Sequence, residues 1–272
     1  MRIIISTDFS PEATAAMHYA LSAASYYNLR VIVFHFHRLS IHALNARLPN
    51  NAIDRVVAKK KVEFENYCEK LTTQYDILVK PHFATGDYLQ ELEECVAQHK
   101  GDLVTLGSGN KSLEQDMLGN TTTRVIGRLK TPAIVIPPNI PAFTPFKKLL
   151  FSCDITRGIH AKVLQRVKDF AHTFKAEVEV FHITKAVKQL HDAEYDKHQS
   201  LLKEGLSGVT YLYQNVESDK IIETINKRID AIHADILIMV PYKYGFWNSL
   251  VHRSKTKLMA SRTKIPLLSI PL

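Results

Sequence analysis

The chain opens on Arg2-Ile3-Ile4-Ile5-Ser6-Thr7, an apolar, β-branched run that halts at Asp8. A half-exposed strand would alternate apolar with polar, so a continuous run reads as a strand covered on both faces. Ser10 and Pro11 then supply a helix start. The serine side chain can accept from an orphan N–H of the first turn, and proline at the first helical position forfeits no hydrogen bond. A helix to about Asn28 is expected, with Ala13, Met17, Ala20, Leu21 and Ala24 on one face, followed by a strand over Arg30 to Phe36.

The alternation continues. Val56, Val57, Phe64, Tyr67 and Leu71 lie near helical spacing in a segment from about Asn51 to Gln74, and a strand is expected around Ile77 to Phe83. Gly86-Asp87 opens a helix through His99, Asp102 to Leu106 reads as a strand, Gly119 to Lys130 as a helix and Ala133 to Ile136 as a last strand. Strands separated by helices predict an α/β fold with a parallel sheet, because parallel neighbours need crossover connections.

After Pro137-Pro138-Asn139-Ile140-Pro141 the same order returns. Lys148 to Cys153 runs into Asp154 as the opening strand ran into Asp8. Val178-Glu179-Val180-Phe181-His182 echoes Val31 to His35, and Asp235 to Met239 echoes Asp102 to Leu106. Both halves end on a proline-led strand, Thr131 to Pro137 and Ile265 to Pro271. A unit of about 135 residues is too long for a solenoid repeat and fits duplication of a whole domain. The reading is therefore a first domain over 1–138, a stiff linker over 139–145 and a second domain over 146–272, in a chain of 272 residues that is long enough for two cores. The closing strands of the two halves would leave apolar sheet edges open, so they are expected to pair as an internal pseudo-dimer.

Composition adds little to this picture: 46% apolar and 23% charged residues lie in the globular range. The opening run is too short for a signal peptide or a membrane span, so a cytoplasmic protein with no membrane partner is expected. Cys68, Cys95 and Cys153 show no C-x-x-C spacing and read as reduced, buried thiols. Charge is uneven: residues 1–143 carry 15 Lys/Arg against 14 Asp/Glu, and the remainder carries 20 against 13. No base-reading element accompanies that excess, and nucleic acid is not an expected partner.

In a doubly wound sheet ligands bind beyond the carboxyl ends of the strands, where the strand order reverses. If the first strand lies beside the fourth, Asp8 and Gly107 frame that point. Gly107-Ser108-Gly109-Asn110 follows the fourth strand, and Gly119-Asn120-Thr121-Thr122 opens the next helix. Glycines allow close approach to a phosphate, and free N–H groups at a helix start form an anion site.

With Thr7-Asp8-Phe9-Ser10 ending the first strand, His35 ending the second, Gly86-Asp87 and this glycine loop, the chain resembles the universal stress protein family, twice over, as a tandem member. The resemblance implies two five-stranded domains of the adenine nucleotide α-hydrolase-like type, strand order 3-2-1-4-5. ATP-binding members carry G-x-x-G-x(9)-G-[ST]. Gly107, Gly109 and Gly119 resemble its glycines, with the first interval one residue shorter and Asn120 at the Ser/Thr position.

By that resemblance Asp8, beside Thr7, would face the ribose or a metal-bound water. Ser6, Phe36 and Leu106 would surround the adenine, and Gly107, Gly109, Asn110, Gly119, Asn120 and Thr121 would line the phosphates of ATP, with Mg. The second half lacks the loop: Val240-Pro241-Tyr242-Lys243-Tyr244 stands in its place, with Trp247 and Asn248-Ser249 before the helix, so that half is expected to bind no nucleotide.

His35, His37 and His42 read as polar residues at a strand mouth rather than metal ligands, and Lys59-Lys60-Lys61 as a solvated helix face. No G-x(4)-G-K-[ST], G-x-S-x-G or H-E-x-x-H occurs, so no catalytic residue is assigned. A nucleotide-responsive stress-response regulator, with a protein partner and a possible homodimer, is the expected function. The alternatives are a ligand-free interaction scaffold with a vestigial pocket and a slow nucleotide hydrolase or transferase dependent on Asp8.

Overall fold

The computed structural model describes residues 1–38, 50–108, 121–153, 160–184, 192–241, 259 and 263–272. The first half contains β1 (Arg2–Thr7), α1 (Pro11–Tyr26), β2 (Arg30–Phe36), α2 (Asn50–Tyr75), β3 (Val79–Ala84), α3 (Tyr88–His99), β4 (Leu103–Gly107), α4 (Thr121–Arg128) and β5 (Ala133–Ile136). The second half contains β6 (Lys148–Cys153), α5 (Ala161–Phe174), β7 (Glu177–Thr184), α6 (Asp192–Gly205), β8 (Tyr211–Glu217), α7 (Ile221–Ile232), β9 (Ile236–Met239) and β10 (Leu267–Ser269).

The ten strands among the described residues form one sheet, in the order β3-β2-β1-β4-β5-β10-β9-β6-β7-β8. Each half runs parallel in the order 3-2-1-4-5, the second being the mirror sequence of the first along the sheet. The halves join where β10 pairs antiparallel with β5, matching Leu267 to Val135, Leu268 to Ile134 and Ser269 to Ala133. The expected edge-to-edge pairing of the closing strands is therefore what the fold adopts.

Duplication is visible in the bonding as well as in the order. The backbone N–H of Arg2 donates to Asp102 Oδ2 at 2.8 Å, and that of Lys148 donates to Asp235 Oδ2 at 2.8 Å. His35 Nδ1 lies 3.0 Å from the Thr7 carbonyl, and His182 Nδ1 lies 3.1 Å from that of Cys153. A carbonyl only accepts, so in each half the histidine carries its proton on Nδ1.

Side chains of β1 alternate between two layers, as the pleat requires. Ile3 and Ile5 enter a core beneath α1 and α2 that continues across the seam to α5, through Ile134, Phe146, Leu149 and Leu268. Ile4 points the other way, into a core beneath α3 and α4 with Phe34, Leu92, Cys95 and Val104. A third cluster, beneath α7, holds Ile225, Leu237 and Leu267.

Two of the element ends that differ from expectation have a left-handed residue near them. The first helix stops at Tyr26 rather than near Asn28, because Asn28 takes a left-handed conformation, φ 50°. The third strand begins at Val79 because Asp76 is left-handed as well, φ 53°. Ser10 caps α1 as expected, accepting from the Ala13 N–H at 3.3 Å.

Phe143 and Phe146, which lie between β5 and β6, pack against both halves. Phe143 meets Tyr19, Tyr26 and Tyr27 at ring separations of 5.6, 6.0 and 6.0 Å, and Phe146 stacks on Tyr27 and packs on Phe174 of α5. The Phe146 N–H donates to the Tyr27 hydroxyl at 2.7 Å. Cys68, Cys95 and Cys153 are buried and form no disulfide.

One ion pair is set into the sheet. Arg228 of α7 donates to both carboxylate oxygens of Glu179 on β7, whose side chain is only 9% exposed. Removing one partner of a buried pair leaves a desolvated charge. Glu179→Ala is expected to lower stability by about 2 kcal/mol, less than for a fully buried pair because Arg228 is partly hydrated. Urea denaturation checks this, and Glu179→Leu with Arg228→Met is expected to regain most of the loss.

Candidate functional site

The strand order reverses between β1 and β4, whose register pairs Ile3 with Leu103 and Ile5 with Thr105. Thr7 and Gly107 therefore end their strands side by side. Here lie six of the residues named from the sequence. Ser6, Thr7 and Leu106 are buried, Gly107 and Phe36 are half-buried and Asp8 is exposed. Gly109, Asn110, Gly119 and Asn120 lie outside the described residues, as does the side chain of Thr121, whose backbone begins α4. Asp154, His42 and residues 242–258 also lie outside them.

The turn after β1 is tightly organised. Asp8 Oδ1 accepts from the Ser10 N–H at 3.0 Å, and the Phe9 N–H donates to Thr7 Oγ1 at 3.1 Å. Phe9 itself is left-handed, φ 59°, a conformation that costs an L-residue about 1 kcal/mol or more. Its ring compensates by packing on His35, Tyr67 and Phe64 at 4.7, 5.4 and 6.2 Å. Partial burial pushes the Asp8 carboxyl up, but hydrogen bonds from Ser10 and the charge of Arg38 outweigh it. The net pKa lies below the ordinary aspartate value. Asp8 is thus an exposed, ionised carboxylate held in place at the mouth.

Gly107 has a structural requirement of its own. A Cβ there would sit 3.0 Å from both the Ala13 Cα and the Glu12 carbonyl oxygen, in the first turn of α1. The glycine lets β4 and the start of α1 approach each other. Thr122 Oγ1 donates to the Gly107 carbonyl at 3.3 Å, which ties the first turn of α4 to the same strand end. Three elements, the ends of β1 and β4 and the start of α4, therefore converge on one mouth. Thr122 belongs to the Gly-Asn-Thr-Thr stretch that the sequence marks as opening this helix.

The universal stress protein family profile matches residues 1–137, half of the chain. The chain belongs to the universal stress protein family. Solved structures agree on the fold. A universal stress protein from Archaeoglobus fulgidus superposes over 99% of this chain and 96% of its own, with a TM-score of 0.73 at 15% identity. A functionally unknown protein from Pseudomonas aeruginosa covers 99% and 92%, TM-score 0.58 at 13% identity. A candidate universal stress protein from the same species gives 0.59 at 13%, with the same coverage. A search of the curated proteins finds no significant match.

Within this universal stress protein mouth the structure adds a residue that the sequence reading passed over, Tyr88. Gly86, with φ 115° available only to glycine at low cost, turns the chain so that Asp87 caps α3 and Tyr88 begins it. The Tyr88 hydroxyl and Ser6 Oγ are 2.9 Å apart. Its ring meets Phe34 and Phe36 edge-on, at 5.8 and 5.5 Å. Burial pushes the phenol up to about 12, the Ser6 contact opposing and the Asp8 charge adding to that rise. Ser6 and Phe36, two of the three residues expected around an adenine, thus already have Tyr88 as a neighbour. An aromatic at the first helical position behind a Gly-Asp turn was the available signal.

Among the described residues, no helix is long and apolar enough to cross a membrane. His35 is fixed by the Thr7 carbonyl and packed between Phe9, Phe64, Phe83 and His37. Burial is the main reason that its pKa lies below the ordinary histidine value, so it is neutral at pH 7.

Proposed function

We propose that the first half binds an adenine nucleotide, ATP with Mg being the leading candidate, at the mouth between β1 and β4, and that occupancy regulates a protein partner. The reading treats 1–138 and 146–272 as two domains of the family joined by 139–145. One observation carries it: an ionised Asp8, the close-approach Gly107 and the first turn of α4 meet at the point where strand order reverses. That is where a doubly wound sheet presents a nucleotide to backbone donors.

Under this reading Asp8 faces the ribose or a magnesium-bound water, with Thr7 holding the turn. Ser6, Phe36 and Leu106 contact the base, and Gly107, Gly109, Asn110, Gly119, Asn120 and Thr121 line the phosphates. Nucleotide influences a partner only if it favours one arrangement of the mouth over another. Three elements meeting at one point give it that leverage.

Tyr88 supports a second reading, in which the mouth is internally satisfied and the chain is a ligand-free scaffold. Its hydroxyl contacts Ser6 and its ring covers Phe36, the positions that a base would use. Calorimetric titration with ATP and magnesium, and with AMP, separates the two. On the nucleotide reading, Gly119→Val and Asp8→Asn each weaken binding, the former by at least about tenfold, or 1.4 kcal/mol. Absence of heat in the wild type, with binding gained in Tyr88→Ala, would favour the scaffold reading.

A further inference from the structure

On the opposite face of the first half from α1, and away from the nucleotide mouth, lies a cluster that the proposed function does not use. His82 belongs to the edge strand β3, and Cys95 and His99 lie one turn apart on α3. Residues four apart on a helix share a face, so both helical side chains meet the strand that α3 covers. Their potential ligand atoms all lie within 4.8 Å of one another. It is the single His/Cys/Asp/Glu trio of this kind among the described residues.

We propose that His82, Cys95 and His99 form a binding site for a divalent transition metal of the zinc class. His82 Nδ1 and His99 Nε2 stand 3.1 Å apart. Two nitrogens of a tetrahedral zinc site, each about 2.0–2.1 Å from the ion, are separated by about 3.3 Å. The two nitrogens, which share a hydrogen bond, therefore already stand at nearly the separation that a common ion needs. The thiol needs at most roughly 1 Å of approach, given a sulfur–nitrogen edge of about 3.6 Å in such a site.

Two imidazoles and a thiolate select zinc or a metal of similar softness over magnesium or calcium, which take oxygen. The two histidines are half-exposed while Cys95 is buried. Solvent can thus supply a fourth ligand from one side only.

Ligation moves protons. For both imidazoles to face the ion, the proton held between His82 Nδ1 and His99 Nε2 must move to the outward nitrogen of its ring. Burial pushes the Cys95 thiol up to about 12, so the metal must displace its proton. An S–metal bond replaces the S–H bond, the proton leaves to water, and no oxidant takes part.

His82 also stacks on Phe34 at 5.7 Å, which holds its ring against the core and limits reorganisation. His99 lies in the last turn of α3, where the helix dipole favours a cation. The site would clamp the outer strand of the sheet to the helix that covers it.

The test uses the reduced full-length chain, stripped of metal and titrated with Co(II), then with Zn(II). The wild type is expected to give thiolate-to-cobalt charge-transfer absorption and the intense d–d bands of a four-coordinate site, both erased by one equivalent of zinc. Cys68→Ser is expected to keep the spectrum, and Cys95→Ser to lose the charge-transfer band. Because Cys95 is a core residue, His99→Gln supplies an arm at the half-exposed end, with at least a tenfold loss of Co(II) affinity. No charge-transfer band in the wild type, or an unchanged spectrum in Cys95→Ser or in His99→Gln, overturns the proposal.

Discussion

Leu268→Asp is expected to lower stability by about 5 kcal/mol, enough to leave the second half largely unfolded. Leu268 is fully buried at the middle of β10, which bonds β5 on one side and β9 on the other. It is thus the strand through which the two halves share a sheet. Its side chain enters the core that runs from α1 to α5. A carboxylate there would lose its water with no cation to pair with, and protonation would recover only part of the penalty. Leu272→Asp, four residues on at a position 51% exposed, is expected to change stability by no more than about 0.5 kcal/mol. Urea denaturation followed by circular dichroism compares the two. Equal stability of Leu268→Asp and wild type would mean that the β5–β10 seam does not carry the assembly.

Gly107→Val is expected to cost about 3 kcal/mol, the upper end of what overpacking a tight contact does. The obstacle is backbone, the Ala13 Cα and the Glu12 carbonyl at 3.0 Å, so no rotamer change relieves it. Relief requires α1 to move away from β4, which disturbs the turn that holds Asp8. Stability and nucleotide binding should therefore fall together, whereas Asp8→Asn should reduce binding and leave stability nearly unchanged. Chemical denaturation beside calorimetric titration of both variants checks this. A Gly107→Val protein as stable as wild type would show that the close approach of α1 and β4 is not a real constraint.

Most of the architecture was legible because strand and helix periods differ and because the pattern occurs twice. The Arg2 to Thr7 run, the Ser10-Pro11 start and the strand over Ala133 to Ile136 each follow from local chemistry and lie where the pattern placed them. Pairing of the closing strands followed from the need to cover an apolar edge. The segment after Ile136 was harder to read. Prolines suggested a stiff spacer, while Phe143 and Phe146 owe their role to Tyr19, Tyr27 and Phe174, partners far off in sequence.

The candidate site was legible in part for the same reason. Asp8 and Gly107 announce themselves as an Asp after a strand and a glycine after a strand. That Gly107 also admits the backbone of α1 depends on a tertiary contact. Tyr88 reaches Ser6 across 82 positions, and the His82–Cys95–His99 trio spans a strand and a helix, so neither forms a short motif. Chemistry assembled by crossover connections is visible only once the sheet is built.

A crystal structure of the full chain grown with ATP and magnesium tests the central claim most directly. The account predicts a single nucleotide per chain, its base near Ser6, Phe36 and Leu106, its ribose near Asp8 and its phosphates at the start of α4. A nucleotide lodged instead beside Val240 in the second half, or an empty first-half mouth at saturating ATP, would contradict it.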